Sequence, residues 1–173
     1  MYRAHVLGIC WLFSAALQAE VFGLGEPADP THIHAQDIAI GPRGTELPLG
    51  HGDAATGAVV YAQKCAICHG ATGTEGPDPM LVGGQGTLAS GKPVQTIGSY
   101  WPYATTVFDY INRAMPFPAP GSLRADEVYA LTAFLLSANG IIAANAVIDR
   151  DTLPEVRMPN RAGFIADPRP DVP

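Results

Sequence analysis

Cysteine is scarce in this chain: 173 residues hold three, Cys10, Cys65 and Cys68. A zinc site would want a second pair of ligands at matching spacing, and the remaining cysteine lies far upstream of the close pair. Basic residues are also few, ten Lys and Arg against sixteen Asp and Glu, for a formal charge of −6. That balance argues against nucleic acid and favours basic or locally complementary protein partners. The apolar run Val6 to Leu17 falls short of the about 20 residues a membrane span needs, ending at Gln18 and Glu20. No internal repeat is visible, and the Gly/Pro-rich chain shows no βαβ pattern of the kind a thioredoxin-like redox pair requires.

What is present begins with an export signal. Arg3 and His5 precede the apolar run, and Leu17-Gln18-Ala19 offers a small residue for cleavage before Glu20. Residues 1–19 therefore read as a cleaved signal peptide. Cys10 makes a poor lipobox cysteine, because bulky Ile9 precedes it and the run before it is short. Cleavage would leave Cys65 and Cys68 alone. Arg3 is the only formally charged residue removed, so −6 becomes −7.

The chemically specific stretch is Cys65-Ala66-Ile67-Cys68-His69. Two cysteines two residues apart, followed at once by histidine, form the attachment signature of a c-type haem. Each thiol adds across one vinyl group, and the spacing lets both sulfurs reach one porphyrin edge. The adjacent imidazole then lies under the iron as an axial ligand. One such motif occurs.

Around it the chain changes character several times. Residues 20–52 are rich in Gly and Pro and read as an extended N-terminal arm, ordered only where it wraps the body or a partner. His32 and His34 could chelate a metal from one strand face, but no carboxylate or cysteine sits at ligand spacing, so a solvated pair is expected. His51 is a further candidate as a distal haem ligand. Asp53 caps a helix that delivers the chain into Cys65, with Gly57 and Tyr61 four apart on one face. Gly57 would let another helix approach closely, and Tyr61 would fill space beside the haem.

From Gly70 to Gly91 the chain is a loop with seven glycines and two prolines. Its Pro79 carbonyl, ahead of that of Pro77, is expected to accept the Nδ1 proton of His69 and so fix the ring. Tyr100, Trp101 and Tyr103 gather as pocket wall or core. Thr105 or Thr106 should cap a helix running to Ala114, which stops at Met115-Pro116 because the residue before proline leaves the helical region. A last helix spans about Ala125 to Ser137, with Asp126 and Glu127 in its first turn, Arg124 where a Ser or Asp cap is expected, Ser122 as the available cap and Asn139-Gly140 at its end. Residues 141–173 read as a C-terminal arm.

An electron carrier needs a second axial ligand, and Met80, Met115 and Met158 are the mature methionines. A thioether suits ferrous iron and raises the potential relative to a second histidine. Met80 follows His69 by only eleven residues, in the loop assigned to the histidine side. Met115 comes 46 residues later, after a helix has crossed over, and the reading favours it. Met158 lies in the tail.

With both ligands placed, Asp53 to Gly140 resembles a class I c-type cytochrome: a helix entering CxxCH, the Pro79-Met80-Leu81 loop, a Met-Pro turn and a C-terminal helix. That resemblance implies an all-α class I cytochrome c fold flanked by the two arms. Nearly the whole mature chain is similar to the cytochrome c subunit of bacterial sulfane dehydrogenase and its sulfite-dehydrogenase-like relatives. The stretches that carry this are FGLGEPADPTHIHAQDIAI, GPRGTELPLGHG, YAQKCAICHG, GSYWPYATTVFDYINRAMPF, SLRADEVYALTAFLLSANGI, MPNRAGF and RPDV. Carried onto this chain, the resemblance implies one covalent haem c on Cys65 and Cys68, with His69 and Met115 on the iron. It implies a periplasmic subunit taking electrons singly from a molybdenum-cofactor subunit that oxidises a sulfur compound. Those electrons would pass to a downstream acceptor such as another cytochrome. The longer family members carry a second haem domain, and this sequence has no second CxxCH. Two other functions compete: a freely diffusing monohaem carrier, and ligand sensing or catalysis at an open iron, against which Met115 argues.

Overall fold

Helix formation here begins with capping chemistry. In the computed structural model, which describes residues 25–169, the Asp53 carboxylate accepts a hydrogen bond from Thr56 N (2.7 Å). It thereby satisfies one of the free amides at the start of the helix Ala54–Lys64. The described residues fall into two compact units that divide between Ala35 and Gln36. The signal-peptide reading of residues 1–19, with Cys10, lies outside the described residues, as does the end of the RPDV stretch.

Within the first unit begins a short helix, α1 (Pro30–Gln36). Proline at its first position loses no helical hydrogen bond, and Asp29 Oδ1 accepts from Thr31 N (2.9 Å). This corrects the expectation of a wholly extended arm over 20–52. It also decides the His32/His34 pair, because residues two apart on a helix point to different sides. The two imidazoles do not share a face, and both are exposed.

In the second unit the elements run β1 (His51–Asp53), α2 (Ala54–Lys64), α3 (Ala66–His69), α4 (Ala104–Ala114), α5 (Ala125–Ala138) and β2 (Val147–Asp149). A 3₁₀ turn follows at Leu153–Glu155. Helices dominate, as an all-α chain should, but β1 and β2 add an antiparallel two-stranded ribbon with Gly52 opposite Ile148. Strands of three residues carry too little alternation to stand out in a sequence.

The central packing is α2 across α5. A Cβ on Gly57 would stand 1.9 Å from Ala130 O, and one on Gly52 would stand 2.2 Å from Ala130 N. Both backbones therefore touch that of α5, the close approach that Gly57 was expected to permit. Tyr61 packs on Phe134 with ring centroids 4.9 Å apart, and Phe108 of α4 packs on Tyr129 of α5 at 4.6 Å. Val60, Val107, Ile111, Val128, Leu131 and Leu136 complete the core between the three helices. Each such side chain contributes about 1.5–3 kcal/mol when fully buried.

Two helix starts differ from expectation. The N-cap of α4 is Tyr103, with Thr105 and Thr106 inside the first turn. Their hydroxyls serve other carbonyls: Thr106 Oγ1 donates to Tyr103 O (2.9 Å) and Thr105 Oγ1 to Pro42 O (3.1 Å). The N-cap of α5 is Arg124 and not Ser122. A guanidinium cannot accept the free amides, so the compensation runs the other way: Arg124 N donates to Glu127 Oε2 (2.9 Å).

The segments flanking the helices are built into this unit. Ile40 N donates to Asp109 Oδ1 (2.8 Å), the Tyr129 hydroxyl to Pro48 O (2.9 Å), and His51 N to Asp126 Oδ1 (2.9 Å). Ile40 and Leu47 are buried, as are Ile148, Leu153 and Met158 on the C-terminal side. Residues 40–53 and 147–158 thus wrap the helical body, each sinking single apolar side chains into the core. Proline and glycine removed the helical period from these stretches without removing their ability to bury single apolar residues.

Candidate haem site

Cys65 stands at the C-cap of α2, its amide donating to Tyr61 O (2.9 Å). The chain then makes one further helical turn, α3, in which Cys68 N and His69 N both donate to Cys65 O (3.1 and 3.0 Å). Positions three apart on a helical turn lie on one side, so the two sulfurs are presented together. Both cysteines are free and half-buried. Burial pushes the Cys65 thiol up to about 11, and a hydrogen bond with Asp78, then burial, raises that of Cys68. Ile67, between them, is 85% exposed.

His69 ends the turn, and its Nδ1 lies 2.9 Å from Pro79 O. A carbonyl can only accept, so Nδ1 carries the proton and Nε2 keeps its lone pair for a metal. The geometry matches the expectation for Pro79. Three contacts set it up. Asp78 N donates to Cys68 O (3.0 Å), and Leu81 N donates to Gly73 O (2.8 Å). Between these, Gly76 lies so near the motif that a Cβ there would stand 2.1 Å from Cys68 O. The Tyr61 hydroxyl donates to Gly70 O (3.0 Å), holding the carbonyl that follows His69. Burial first, then the neighbouring Cys65 and Glu75, push the Tyr61 phenol up to about 12, so it stays a donor. Glu75 is drawn down to about 2 by hydrogen bonds from Thr72 and then Thr74, which ties the loop tip together.

The other candidate ligands fall in different places. Met115 occupies the C-cap of α4, its amide on Ile111 O (3.2 Å), with ψ at 149° as the chain leaves the helix for Pro116. It is half-buried. Met80 adjoins the Pro79 carbonyl, on the histidine loop, and is 39% exposed. Met158 is 3% exposed inside the hydrophobic core, where its thioether is packing material. His51 belongs to β1, beyond the opposite end of α2 from Cys65. An eleven-residue helix spans about 16 Å, so His51 is not part of the motif's surroundings. The structure thus gathers Cys65, Cys68, His69 and Pro79 and sets His51 and Met158 apart.

Residues that sequence reasoning overlooked lie on the far side of the loop. Asn139 reads in the sequence only as a helix stop. Its side chain meets Leu81 and Gly83, 58 and 56 residues away in the chain, and no local pattern encodes that. Asp109 reads in the sequence only as a polar position four residues before Arg113, and nothing local encodes its bond to the Ile40 amide, 69 residues away. The aromatic stretch and the tail also meet: Asn160 Nδ2 donates to Tyr100 O (2.7 Å), and Tyr100 meets Phe164 edge-on at 5.2 Å. The Arg161 guanidinium lies 3.9 Å from the Tyr103 ring centroid.

Two adjacent thiols and an imidazole with Nδ1 already engaged suit a haem attached through its vinyl groups. They do not suit a self-sufficient metal site. Among the described residues no group of three or more His, Cys, Asp or Glu could hold a metal ion. The family model for subunit III of cbb3-type cytochrome c oxidase matches residues 52–135. A chain in the crystal structure of the sulfane dehydrogenase SoxCD from Paracoccus pantotrophus is 46% identical, with a TM-score of 0.77. That match covers 87% of this chain and 74% of the other. The chain therefore belongs to the cytochrome c family, and its cytochrome c domain implies haem c. Within that family it is a relative of the SoxCD chain, as the sequence resemblance implied. A thiosulfate dehydrogenase (TsdBA) from Marichromatium purpuratum is 26% identical, over 49% of this chain and 17% of that one, with a TM-score of 0.37. No match among curated proteins was found. No helix among the described residues is long and apolar enough to cross a membrane.

Proposed function

We propose that this protein is a periplasmic monohaem electron-transfer subunit of a sulfur-compound dehydrogenase. It would accept electrons one at a time from a molybdenum-cofactor subunit and pass them to a downstream acceptor such as another cytochrome. The observation that carries the reading is the 46% identity to a sulfane dehydrogenase chain across 87% of this one. Likeness of that extent covers the flanking segments as well as the haem-binding domain.

The bound haem supplies a one-electron couple at its iron. The chain's own residues do the rest. Cys65 and Cys68 hold the group covalently, and His69 presents Nε2 while Pro79 O keeps the ring from turning. Met115, placed where α4 gives way to Pro116, would offer a thioether as the second iron ligand. Residues 1–19 direct the chain across the inner membrane, where haem is attached.

Co-expression with a candidate molybdenum subunit tests the proposal. Co-purification, together with haem reduction on adding sulfite or thiosulfate, is expected. A protein that purifies alone and stays oxidised with both substrates would be a free carrier, and the subunit reading would fail.

A further inference from the structure

The Pro79 carbonyl sits in an exposed loop with no regular element of its own, yet it sets the orientation of His69. Something rigid must fix that loop. Upstream it is tied to the motif through Asp78 N and Cys68 O. Downstream, Ile97 N donates to Leu81 O (3.3 Å) and Thr96 Oγ1 to Gly83 O. A second tie runs to α5, where every hydrogen bond that joins the end of the helix to this loop, among the described residues, runs through Asn139. Its Nδ2 donates to Leu81 O (3.1 Å), and its Oδ1 accepts from Gly83 N (2.9 Å). The second Nδ2 proton goes to Leu135 O (2.8 Å), within the helix, and the Asn139 carbonyl accepts from Gln85 Nε2 (3.2 Å).

We propose that Asn139 is a positioning residue for the axial imidazole, acting through the 79–83 loop on the Pro79–His69 hydrogen bond. The proposal rests on His69 being the haem ligand. Asn139 is 8% exposed, so its bonds face little competition from water. It grips the loop on both sides of Val82, and Leu81 is two residues from Pro79. Gly98 leaves the space this needs: a Cβ there would stand 2.2 Å from Asn139 Oδ1. Only a short primary amide can donate to one loop carbonyl, accept from one loop amide and still cap α5. A helix stop alone would need none of the loop contacts.

The test is hydrogen exchange on the ferrous, haem-loaded protein by NMR, following the His69 Nδ1 proton and the Gly83 amide. In Asn139→Ala both protons should exchange about tenfold faster or more, compared with Leu136→Ala at matched global stability. Asn139→Asp keeps the acceptor for Gly83 N and loses the donors, so the Nδ1 proton should accelerate more than the Gly83 amide. Equal Nδ1 exchange in Asn139→Ala and Leu136→Ala would overturn the proposal. Should the alanine variant not fold, the unaltered protein decides: both protons should share one opening free energy and one denaturant slope, and different slopes would overturn it. Ring-current-shifted His69 resonances in the same spectra report ligation separately. Their absence would remove the haem-ligand reading, and the proposal with it.

Discussion

His69 Nδ1 and Pro79 O stand 2.9 Å apart, ten residues apart in the chain. That one hydrogen bond selects the imidazole tautomer, frees Nε2 for iron and increases its basicity. The loop that provides the carbonyl therefore belongs to the candidate haem site as much as the cysteine motif does.

If Met115 completes the coordination, Met115→Ala should lower the reduction potential and open the iron to exogenous ligands. The ferric protein should lose its long-wavelength methionine–iron band and the ferrous protein should bind carbon monoxide readily. Met80→Ala should do neither. An unchanged spectrum in Met115→Ala would rule out that ligand.

Covalent attachment makes a prediction independent of the axial ligands. The holoprotein should keep its haem in acidified organic solvent and show a mass increased by one haem. Replacing both Cys65 and Cys68 by Ser should leave any haem extractable, whereas either single replacement should retain one thioether link. Mass spectrometry after extraction checks each outcome.

The crossing of α2 and α5 depends on a missing side chain. Gly57→Ala would drive a Cβ to 1.9 Å from Ala130 O, a backbone atom that cannot swing aside. Overpacking of this kind costs about 1–3 kcal/mol, and urea unfolding of the haem-loaded protein should show at least that. Gly91→Ala meets nothing within 4 Å and should lie within about 0.5 kcal/mol of the parent.

Asp109 links the segment before β1 to α4 and carries a pH signature. Burial alone would raise its carboxyl, but the Arg113 guanidinium and the Ile40 amide outweigh that and hold it below its ordinary 3.8. A depressed folded-state pKa contributes stability above the unfolded value, and the contribution is lost as pH falls through the folded one. Asp109→Asn should therefore cost about 1 kcal/mol at pH 7, the partly exposed Arg113 limiting the effect. The gap between variant and parent should close below pH 3.8. Thermal unfolding of both proteins from pH 7 downward checks it, and a constant gap would contradict the assignment.

These particulars also show what a sequence can carry. The Asp53 cap, the Gly57 contact and the Pro79 carbonyl were legible because each is local chemistry or a residue type with one dominant use. Tyr103 at the start of α4 was not, and at the start of α5 the Arg124 position was visible but passed over for Ser122, since both helices begin without an accepting side chain at the cap. Helix α1 was hidden by the Gly- and Pro-rich stretches on either side of it, and the β1–β2 ribbon by its brevity. Asn139 and Asp109 escaped for a different reason. Beside local partners at Leu135 and Arg113, each also meets groups far off in the chain, Leu81 and Gly83 for Asn139 and Ile40 for Asp109. Long-range hydrogen bonds leave no periodic trace. Met158 illustrates the converse, a candidate ligand by type that burial turns into core.

The central claim is that electrons reach this haem from a sulfur-oxidising molybdenum subunit. The most direct measurement is stopped-flow spectroscopy of the complex purified from cells co-expressing both chains, following the haem absorption after sulfite or thiosulfate is added. The account predicts reduction of the haem within the enzyme's turnover, by one electron per haem, and its loss when the molybdenum subunit is left out. A haem that stays ferric in the intact complex with either substrate, on a protein sedimenting at monomer mass, would contradict it.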